Sequence, residues 1–252
     1  MDFSGKYVLV TGGSRGIGRA VAQTFAHHGA VIAINYNTNR QAAEETRQSL
    51  PQGPHLVVQA DVTQPGSVQR MIETVTQKFA GLDIVVNNAG VFIQHPLEDI
   101  SFTEWQQAWN DTLAVNLVGP ANVCYYAAQY MIQQGGGRIV NISSRGAFRG
   151  EPQSPAYGAS KAGINAMSQS LAQQLAKYNI FVGVVAPGFV ETDMAAEYLS
   201  GPQGDEIRNQ SPLGRVARPE EVAQAALFLA AEGSEFMTGA IIDVNGASYL
   251  RS

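Results

Sequence analysis

The stretch that decides the fold is Thr11-Gly12-Gly13-Ser14-Arg15-Gly16-Ile17-Gly18. It follows the apolar run of residues 7–10 and precedes an amphipathic stretch at residues 19–28, so the chain is predicted to begin as strand, glycine turn and helix. Glycines let the backbone come close to a phosphate, and the free N–H groups at the helix start point at the anion. The stretch therefore predicts a site for the pyrophosphate of a dinucleotide.

The spacing of the glycines narrows the kind of site. They follow the pattern G-x-x-x-G-x-G, formed by Gly12, Gly16 and Gly18, which differs from the G-x-G-x-x-G fingerprint. A P-loop fails because Arg19 and Ala20 stand where lysine and a magnesium-binding hydroxyl would have to be, which disfavours a nucleotide hydrolase. On this motif alone, a glycine-rich turn that only joins strand to helix remains open.

Composition sets the broad class of the protein. The chain has 252 residues, 45% apolar and 15% charged, so we expect one globular domain over residues 1–252. A net charge of −5 without a basic block indicates no nucleic-acid role. Because no run approaches the roughly 18 apolar residues of a membrane span and no signal segment is seen, we expect no membrane partner and a cytoplasmic location. The lone Cys124 is expected in the core, and no metal site is expected.

Short β-branched runs alternate with longer helical patterns along the chain. Seven strands are predicted at residues 7–10, 31–35, 56–60, 84–87, 138–142, 180–186 and 240–244, and further helices at 40–50, 67–79, 103–133, 157–177 and 219–231. The alternation predicts an α/β fold: a Rossmann-type doubly wound, mainly parallel sheet with helices on both faces. Residues 191–211 are predicted to form a substrate lid, with an ordinary surface loop as the alternative.

A second cluster of polar residues follows the fifth strand. Ser143 and Ser144 end that strand, and the pattern Tyr157-x-x-x-Lys161 opens the next helix with both side chains on one face. An ammonium group beside a phenol stabilises the phenolate and so lowers the phenol pKa, while a serine hydroxyl can hold a carbonyl oxygen. The cluster suits carbonyl reduction, although a solvated tyrosine and lysine on one helix face are common.

Taken together, the motifs resemble the short-chain dehydrogenase/reductase family over essentially the whole chain, and by appearance the 3-oxoacyl-[acyl-carrier-protein] reductases within it. The matching residues are Thr11, Gly12, Gly16, Gly18, Asp61, Asn87, Asn88, Ala89, Gly90, Asn116, Ser144, Tyr157, Lys161, Pro187, Gly188 and Thr192. The resemblance implies an oxidoreductase that transfers a hydride between a nicotinamide and a carbonyl or secondary alcohol.

The resemblance also implies four catalytic residues. Tyr157 would donate the proton and Ser144, rather than Ser143, would orient the carbonyl. Lys161 would bind the nicotinamide ribose and lower the pKa of the tyrosine. Asn116 would hold a water of the proton relay; without the resemblance it reads as a polar residue inside a helix.

The resemblance implies a long cofactor-binding surface. Asp61 and Val62 would contact adenine, and Asn88 with its neighbours would pack under the cofactor. The full set is Gly12, Ser14, Arg15, Gly16, Ile17, Gly18, Asn35, Tyr36, Asp61, Val62, Asn88, Ala89, Gly90, Tyr157, Lys161, Pro187, Gly188, Val190 and Thr192.

Charge at the second strand bears on the choice of cofactor. An acid at the end of this strand accepts the ribose 2′-OH of NAD and repels the 2′-phosphate of NADP. The strand ends Ile34-Asn35-Tyr36-Asn37 without an acid, and Arg15 adds a cation in the glycine turn. We therefore expect NADP(H) in preference to NAD(H). Arg40 is expected to start the next helix in solvent, with a second cation near the cofactor as the alternative.

The sequence defines the substrate less well than the cofactor. A 3-oxoacyl thioester is the first hypothesis, although Lys177 alone remains of the basic residues that dock an acyl carrier protein in the resembled group. Arg145 and Arg149 favour the alternative, a small polar carbonyl such as a keto-sugar or polyol, unless they pair with acids instead. A pocket role for His95 is open, and a non-catalytic cofactor sensor is a minor alternative. The resemblance also implies a homo-oligomer, a dimer or tetramer.

Overall fold

Seven parallel strands form the centre of the structure, a computed structural model that describes residues 1–251. In chain order, β1 to β7 are Tyr7–Val10, Val31–Tyr36, Leu56–Gln59, Ile84–Asn87, Gly137–Ile142, Ile180–Pro187 and Ile241–Val244. They lie in the order β3-β2-β1-β4-β5-β6-β7, and every pairing between them is parallel. The predicted Rossmann-type α/β fold is confirmed, and the sheet is parallel throughout rather than mainly so.

Helices cover both faces of this sheet. In chain order, α1 to α10 are Gly16–His27, Arg40–Gln48, Pro65–Phe79, Phe102–Leu113, Gly119–Gln134, Gly146–Arg149, Pro155–Leu175, Asp193–Ser200, Gly204–Asn209 and Pro219–Ala230. Short 3₁₀ turns follow at Ala176–Tyr178 and Glu235–Met237, and a π-helical turn, Ala114–Val118, joins α4 to α5. Among residues 1–251, none of these helices has the length and apolarity that a bilayer span requires.

The strands are apolar because both of their faces are covered. In β1, Val8 and Val10 pack with residues of α1, α2 and α10, whereas Leu9 packs on the opposite face with residues of α3, α5 and α7. Strands buried on both faces read as continuous apolar runs, which is why the sequence located them well. From β1 the strands are added outward in one direction to β3, and from β4 in the other direction to β7. This change in strand order between β1 and β4 opens a crevice at the carboxyl ends of the strands.

The structure corrects the predicted helix at residues 103–133. Here α4 ends at Leu113, and the π-helical turn precedes α5. Pro120 has no N–H to donate to the carbonyl of Asn116, four residues earlier, so the regular α-helical ladder cannot pass this point. The N–H of Gly119 instead donates to Ala114, five residues back. Turns of this kind are frequent at functional sites.

The segment at residues 191–211 is also more regular than a loop. It contains α8 and α9, and its first residues pair with residue 217, where the N–H of Glu191 donates to the Ala217 carbonyl. The short helix α6, directly after Ser144, was not predicted because it spans a single turn. Both segments stand at the carboxyl edge of the sheet and shape the site described below.

Candidate active site

A cavity of about 680 Å³ lies at the carboxyl edge of the sheet. Its walls are the ends of the central strands, the glycine turn, the start of α7 and the helix α8. Almost all of the predicted site residues line it: Gly12, Ser14, Arg15, Gly16, Ile17, Asn35, Tyr36, Asp61, Val62, Asn88, Ala89, Gly90, Ser144, Tyr157, Lys161, Pro187, Gly188, Val190 and Thr192. Gly18 and Asn116 are the two that do not.

Gly18 has a structural reason to lie outside the cavity. A Cβ atom there would stand 2.2 Å from the carbonyl oxygen of Gly12 and 2.5 Å from Nδ2 of Asn88. Gly12 and Gly16 have φ values of +60° and +52°, in the left-handed region that glycine adopts readily. The turn therefore folds tightly back on the first turn of α1, and the N–H groups that open this helix face the cavity.

Side chains from two neighbouring strands hold the glycine turn in place. Nδ2 of Asn88 donates to the carbonyls of Thr11 at 3.1 Å and Gly12 at 3.0 Å. In return, Oγ1 of Thr11 accepts the N–H groups of Asn88 at 3.0 Å and Ala89 at 3.1 Å. The hydroxyl of Thr11 is thus a part of the site that the set of predicted binding residues omitted.

Asn35 closes the other side of the turn. Its Oδ1 accepts the N–H of Gly12 at 3.2 Å, and its Nδ2 donates to the carbonyls of Val58 and Ala60 beside it in the sheet. The Asn35 side chain is buried, and its hydrogen bonds connect the glycine turn to β3 and the residue after it. Arg15 is exposed at the rim of the cavity, whereas Arg40 is exposed outside the cavity wall.

Asp61 is a carboxylate at the far end of the cavity, after β3. Its Oδ1 accepts the N–H of Thr63 at 2.9 Å and the hydroxyl of Thr63 at 2.8 Å. These bonds fix the side chain against its own loop and engage one of its two oxygens. Beside β2, the cavity wall continues with Asn37, Thr38 and Asn39, which are exposed and uncharged.

Tyr157, Ser144 and Lys161 come together at the opposite end. Burial raises the pKa of Tyr157 to about 12, while an interaction with the Ser144 hydroxyl lowers it and the Glu151 carboxylate raises it. Burial lowers the pKa of Lys161 to about 8. The predicted lowering of the tyrosine pKa by the lysine is therefore not found, because desolvation of the phenol is the larger effect.

The geometry of Lys161 explains why its influence on the phenol is small. Its Nζ donates to the carbonyl of Ile142 at 2.9 Å and stands 5.7 Å from the centre of the Tyr157 ring. Its own carbonyl accepts the hydroxyl of Ser143 at 3.2 Å. Ser143 is thus engaged in holding α7 against β5, and Ser144 is the serine whose hydroxyl interacts with Tyr157.

Asn116 is fully buried in the π-helical turn. Its Oδ1 accepts the N–H of Val91 at 2.8 Å, and its Nδ2 donates to the Val91 carbonyl at 2.9 Å and to Oγ of Ser160 at 3.3 Å. The hydroxyl of Ser160 in turn donates to the carbonyl of Tyr157 at 2.7 Å. Asn116 therefore ties the loop after β4 to helix α7 from behind the cavity, and its part in a proton relay remains a prediction.

The cavity wall next to Tyr157 includes residues that no motif singled out. The Phe92 ring stands edge-on to Tyr157 at 4.9 Å and to Tyr198 of α8 at 6.1 Å between ring centres. Glu151 also lines the cavity, and burial raises the pKa of its carboxyl group. Hydrophobic patterning cannot identify such residues, since they come from three separate loops and helices.

The two arginines after Ser144 differ in environment. Arg145 is only 3% exposed, and it donates to Ser248 and to Gln210 at the end of the 191–211 segment. Burial, with a contribution from Arg149, lowers the pKa of Arg145 to about 10. Arg149 is exposed. The partners of the Arg145 guanidinium are thus neutral side chains.

Cys124 and His95 also have defined places in the structure. Cys124 is buried, as expected of a core residue, and burial raises the pKa of its thiol to about 12. His95 is buried and does not line the cavity. Within residues 1–251, no three His, Cys, Asp or Glu side chains are grouped so as to hold a metal ion.

The cavity fits an extended dinucleotide. One end has a glycine turn that a single methyl group at Gly18 would obstruct, and the other end has a serine, a tyrosine and a lysine around a common space. A phosphate cradle continuous with a proton-donating cluster defines a nicotinamide-dependent oxidoreductase that acts on a carbonyl or CH–OH group.

Comparison with known proteins agrees with this class. A family model described as "Enoyl-(Acyl carrier protein) reductase" matches residues 12–247. The chain is 39% identical to the 3-oxoacyl-[acyl-carrier-protein] reductase FabG of Aquifex aeolicus, over 99% of both chains. It is 38% identical to the protein of that name from Escherichia coli K12, over 99% of this chain and 100% of the other.

A solved structure is similar along its whole length. A dehydrogenase/reductase from Sinorhizobium meliloti 1021 superposes with a TM-score of 0.90 at 30% identity, covering 99% of this chain and 97% of that one. The chain therefore belongs to the short-chain dehydrogenase/reductase family, as its motifs indicated.

The contact at Gly18 leads to a first prediction. Gly18→Ala places a methyl group against the Gly12 carbonyl and must displace the turn, so we expect NADPH affinity to fall by at least about tenfold. Gly66→Ala is the matched control, because a Cβ at residue 66 meets only the Arg70 side chain, at 3.6 Å. Isothermal titration measures both. Unchanged affinity in a folded Gly18→Ala variant would contradict the proposed cradle.

The burial of Lys161 leads to a second prediction. Its folded pKa of about 8 lies below the usual 10.5, so between these values the unfolded chain holds a proton that the folded protein lacks. The contribution of Lys161 to the free energy of unfolding is therefore smallest below pH 8. It increases by up to about 3 kcal/mol as the pH rises to 10.5. We expect the free energy of unfolding of the wild type to increase with pH relative to Lys161→Met.

Denaturant titrations from pH 7 to pH 10 measure this difference, and the other titrating groups cancel between the two proteins. Lys78→Met, at an exposed lysine of α3, is the control and should run parallel to the wild type. A Lys161→Met curve that is also parallel to the wild type would show that the lysine keeps its ordinary pKa.

Proposed function

We propose that this protein is an NADPH-dependent reductase of 3-oxoacyl thioesters. The observation that carries the proposal is the meeting of Ser144, Tyr157 and Lys161 in one cavity with the glycine turn. The names of the relatives supply the thioester, since several are 3-oxoacyl-[acyl-carrier-protein] reductases over nearly the full chain.

The glycine turn and the start of α1 would hold the pyrophosphate, and Asp61 with Val62 would border the adenine. Pro187, Gly188, Val190 and Thr192 would border the nicotinamide. When bound, the reduced nicotinamide supplies a hydride to the carbonyl carbon. The remaining requirement is a proton for the carbonyl oxygen, and this must come from the chain or from solvent.

Tyr157 is suited to supply that proton. Its phenol lines the cavity beside Ser144 and Lys161 and is protonated near neutral pH, since burial holds its pKa at about 12, above the usual value of 10. Ser144, whose hydroxyl interacts with the phenol, would hold the same carbonyl oxygen and fix the direction of transfer. Lys161, with a pKa of about 8, is able to return a proton near neutral pH.

The preference for NADPH rests on charge at the adenine end of the cavity. The wall at the end of β2 is made by Tyr36 and by Asn37, Thr38 and Asn39, which carry no negative charge. Arg15 stands at the same rim with an exposed side chain, free to approach a 2′-phosphate. An acid that would favour NADH is absent from this part of the wall.

A second candidate, a small polar carbonyl such as a keto-sugar or polyol, is favoured by Glu151. This carboxylate faces the cavity near Tyr157 and is close enough to raise the tyrosine pKa. It can accept hydrogen bonds from substrate hydroxyls. Against it, Phe92, Met194 and Tyr198 line the same space with apolar surface that suits an acyl chain.

Three further proposals concern organisation. Residues 1–252 would form one dinucleotide-binding and catalytic domain, with 191–211 as a lid, since α8 supplies Tyr198 and Met194 to the cavity wall. The protein would also assemble as a dimer or tetramer. Exposed apolar side chains on the helices and near β7 support such an assembly. They include Val118, Tyr125, Phe228, Phe236 and Leu250.

A third prediction tests the reaction. NADPH oxidation should be rapid with a 3-oxoacyl thioester, and Tyr157→Phe should lower kcat by about 10²- to 10⁴-fold with NADPH affinity unchanged, because only the proton donor is lost. The same assay with small ketones, quinones and keto-sugars tests the alternative. Turnover of a keto-sugar but not of the thioester would replace the first candidate with the second, and binding without any turnover would indicate a sensor.

A fourth prediction tests the cofactor preference. Arg15→Ala should weaken NADPH binding by about tenfold, since one charge-assisted contact to the 2′-phosphate is lost, and leave NADH binding unchanged. Arg40→Ala is the control, because Arg40 lies outside the cavity wall and should alter neither affinity. Equal affinity of the wild type for the two reduced cofactors, or an unchanged ratio in Arg15→Ala, would contradict the proposal.

A further inference from the structure

His95 is buried beside the start of the catalytic helix α7, outside the cavity. Its backbone N–H donates to the carbonyl of Gln153 at 2.8 Å, just before α7 begins. The indole ring of Trp109 lies edge-on to the imidazole at 6.5 Å between ring centres. The His95 side chain is completely inaccessible to solvent, so the hydrogen bonds of its two ring nitrogens are made with protein groups.

The two ring nitrogens of His95 have opposite roles. Nε2 lies 3.2 Å from the backbone nitrogen of Ala156, and because that nitrogen is a donor, Nε2 must be the unprotonated acceptor. Nδ1 then carries the hydrogen and donates it to the carbonyl of Ile93 at 2.8 Å. The imidazole therefore bridges the loop after β4 and the first turn of α7.

This bridge replaces the usual helix cap. Helix α7 starts at Pro155, which has no N–H, and the preceding Ser154 makes no capping bond with its side chain. The Ser154 hydroxyl is buried without a partner. The first N–H group of α7 is thus that of Ala156, and it is satisfied from 61 residues away by His95.

We propose that His95 is a positioning residue, which fixes the first turn of α7 and thereby the place of the Tyr157 hydroxyl. Tyr157 directly follows Ala156, and its own N–H is bonded to the Ser154 carbonyl at 2.9 Å. The inference rests on the proposed role of Tyr157 as proton donor. A displacement of a reacting group by about 1 Å reduces rate by about 100-fold, so a loosened first turn should act on kcat.

Two substitutions separate the roles of the two nitrogens. In His95→Gln, the amide oxygen reaches the place of Nε2 and can still accept the N–H of Ala156. In His95→Asn, the shorter amide can replace the Nδ1 donor to Ile93 but does not reach α7. Asn is one methylene smaller than Gln, so thermal unfolding of both variants is needed to separate a loss of packing at this buried site from the loss of the contact with α7.

The experiment measures kcat, KM, NADPH affinity and amide hydrogen exchange at Ala156 and Tyr157 in the two variants and the wild type. We expect His95→Asn to lower kcat by about 10- to 100-fold and to speed exchange at both amides, with KM and NADPH affinity within about twofold. His95→Gln should keep the amides protected and keep kcat within about threefold. Thermal unfolding of each variant is recorded alongside.

Equal kcat in the Asn and Gln variants, or losses that follow thermal stability alone, would overturn the proposal. If the Asn variant does not fold, the Gln variant decides: fast exchange at Ala156 with wild-type kcat would show that Tyr157 does not depend on this contact. Tyr157→Phe is assayed in parallel. Wild-type turnover in that variant would refute the proposed role of Tyr157 as proton donor, and absence of turnover in the wild type would refute the proposed function, whereas the exchange data would still report on the contact between His95 and α7.

Discussion

The packing of the glycine turn against the end of β4 is the constraint on which the rest of the site depends. Residue 18 leaves no room for a Cβ atom beside the Gly12 carbonyl, and the Asn88 amide donates to the carbonyls of Thr11 and Gly12. This contact joins the ends of β1 and β4, the two strands between which the strand order changes direction. It therefore brings the phosphate-binding turn of one half of the fold to the edge of the half that carries Ser144, Tyr157 and Lys161.

Burial then determines the chemistry of that second half. An apolar environment favours the neutral form of any titratable group, so it moves the pKa of Tyr157 up to about 12 and that of Lys161 down to about 8. In the proposed reduction, the neutral phenol of Tyr157 would donate the proton and Lys161, with a pKa of about 8, would restore it.

Sequence reasoning succeeded where local patterns determine structure. Buried parallel strands appear as apolar runs, and the Thr11–Gly18 turn and the Tyr157–Lys161 spacing are short motifs, so the fold could be predicted. Nearly all of the predicted site residues line the cavity, but other parts of its wall, such as Phe92, Glu151 and Tyr198, carry no motif. The π-helical turn could not be predicted, because Pro120 also occurs readily near the start of ordinary helices. The pKa of Tyr157 was predicted in the wrong direction, since burial depends on the whole fold and not on the neighbouring lysine.

The substrate end of the cavity is the least predictable part, for a physical reason. Its buried cation, Arg145, follows Ser144 but donates to Gln210 after α9 and to Ser248 after β7. Three segments far apart in sequence thus meet on one guanidinium, and each is irregular or only briefly helical. The cofactor end is encoded in continuous motifs, whereas substrate choice depends on how these separate segments pack. Under the proposed function, substitutions there would change the substrate while the dinucleotide site and the proton donor stay the same.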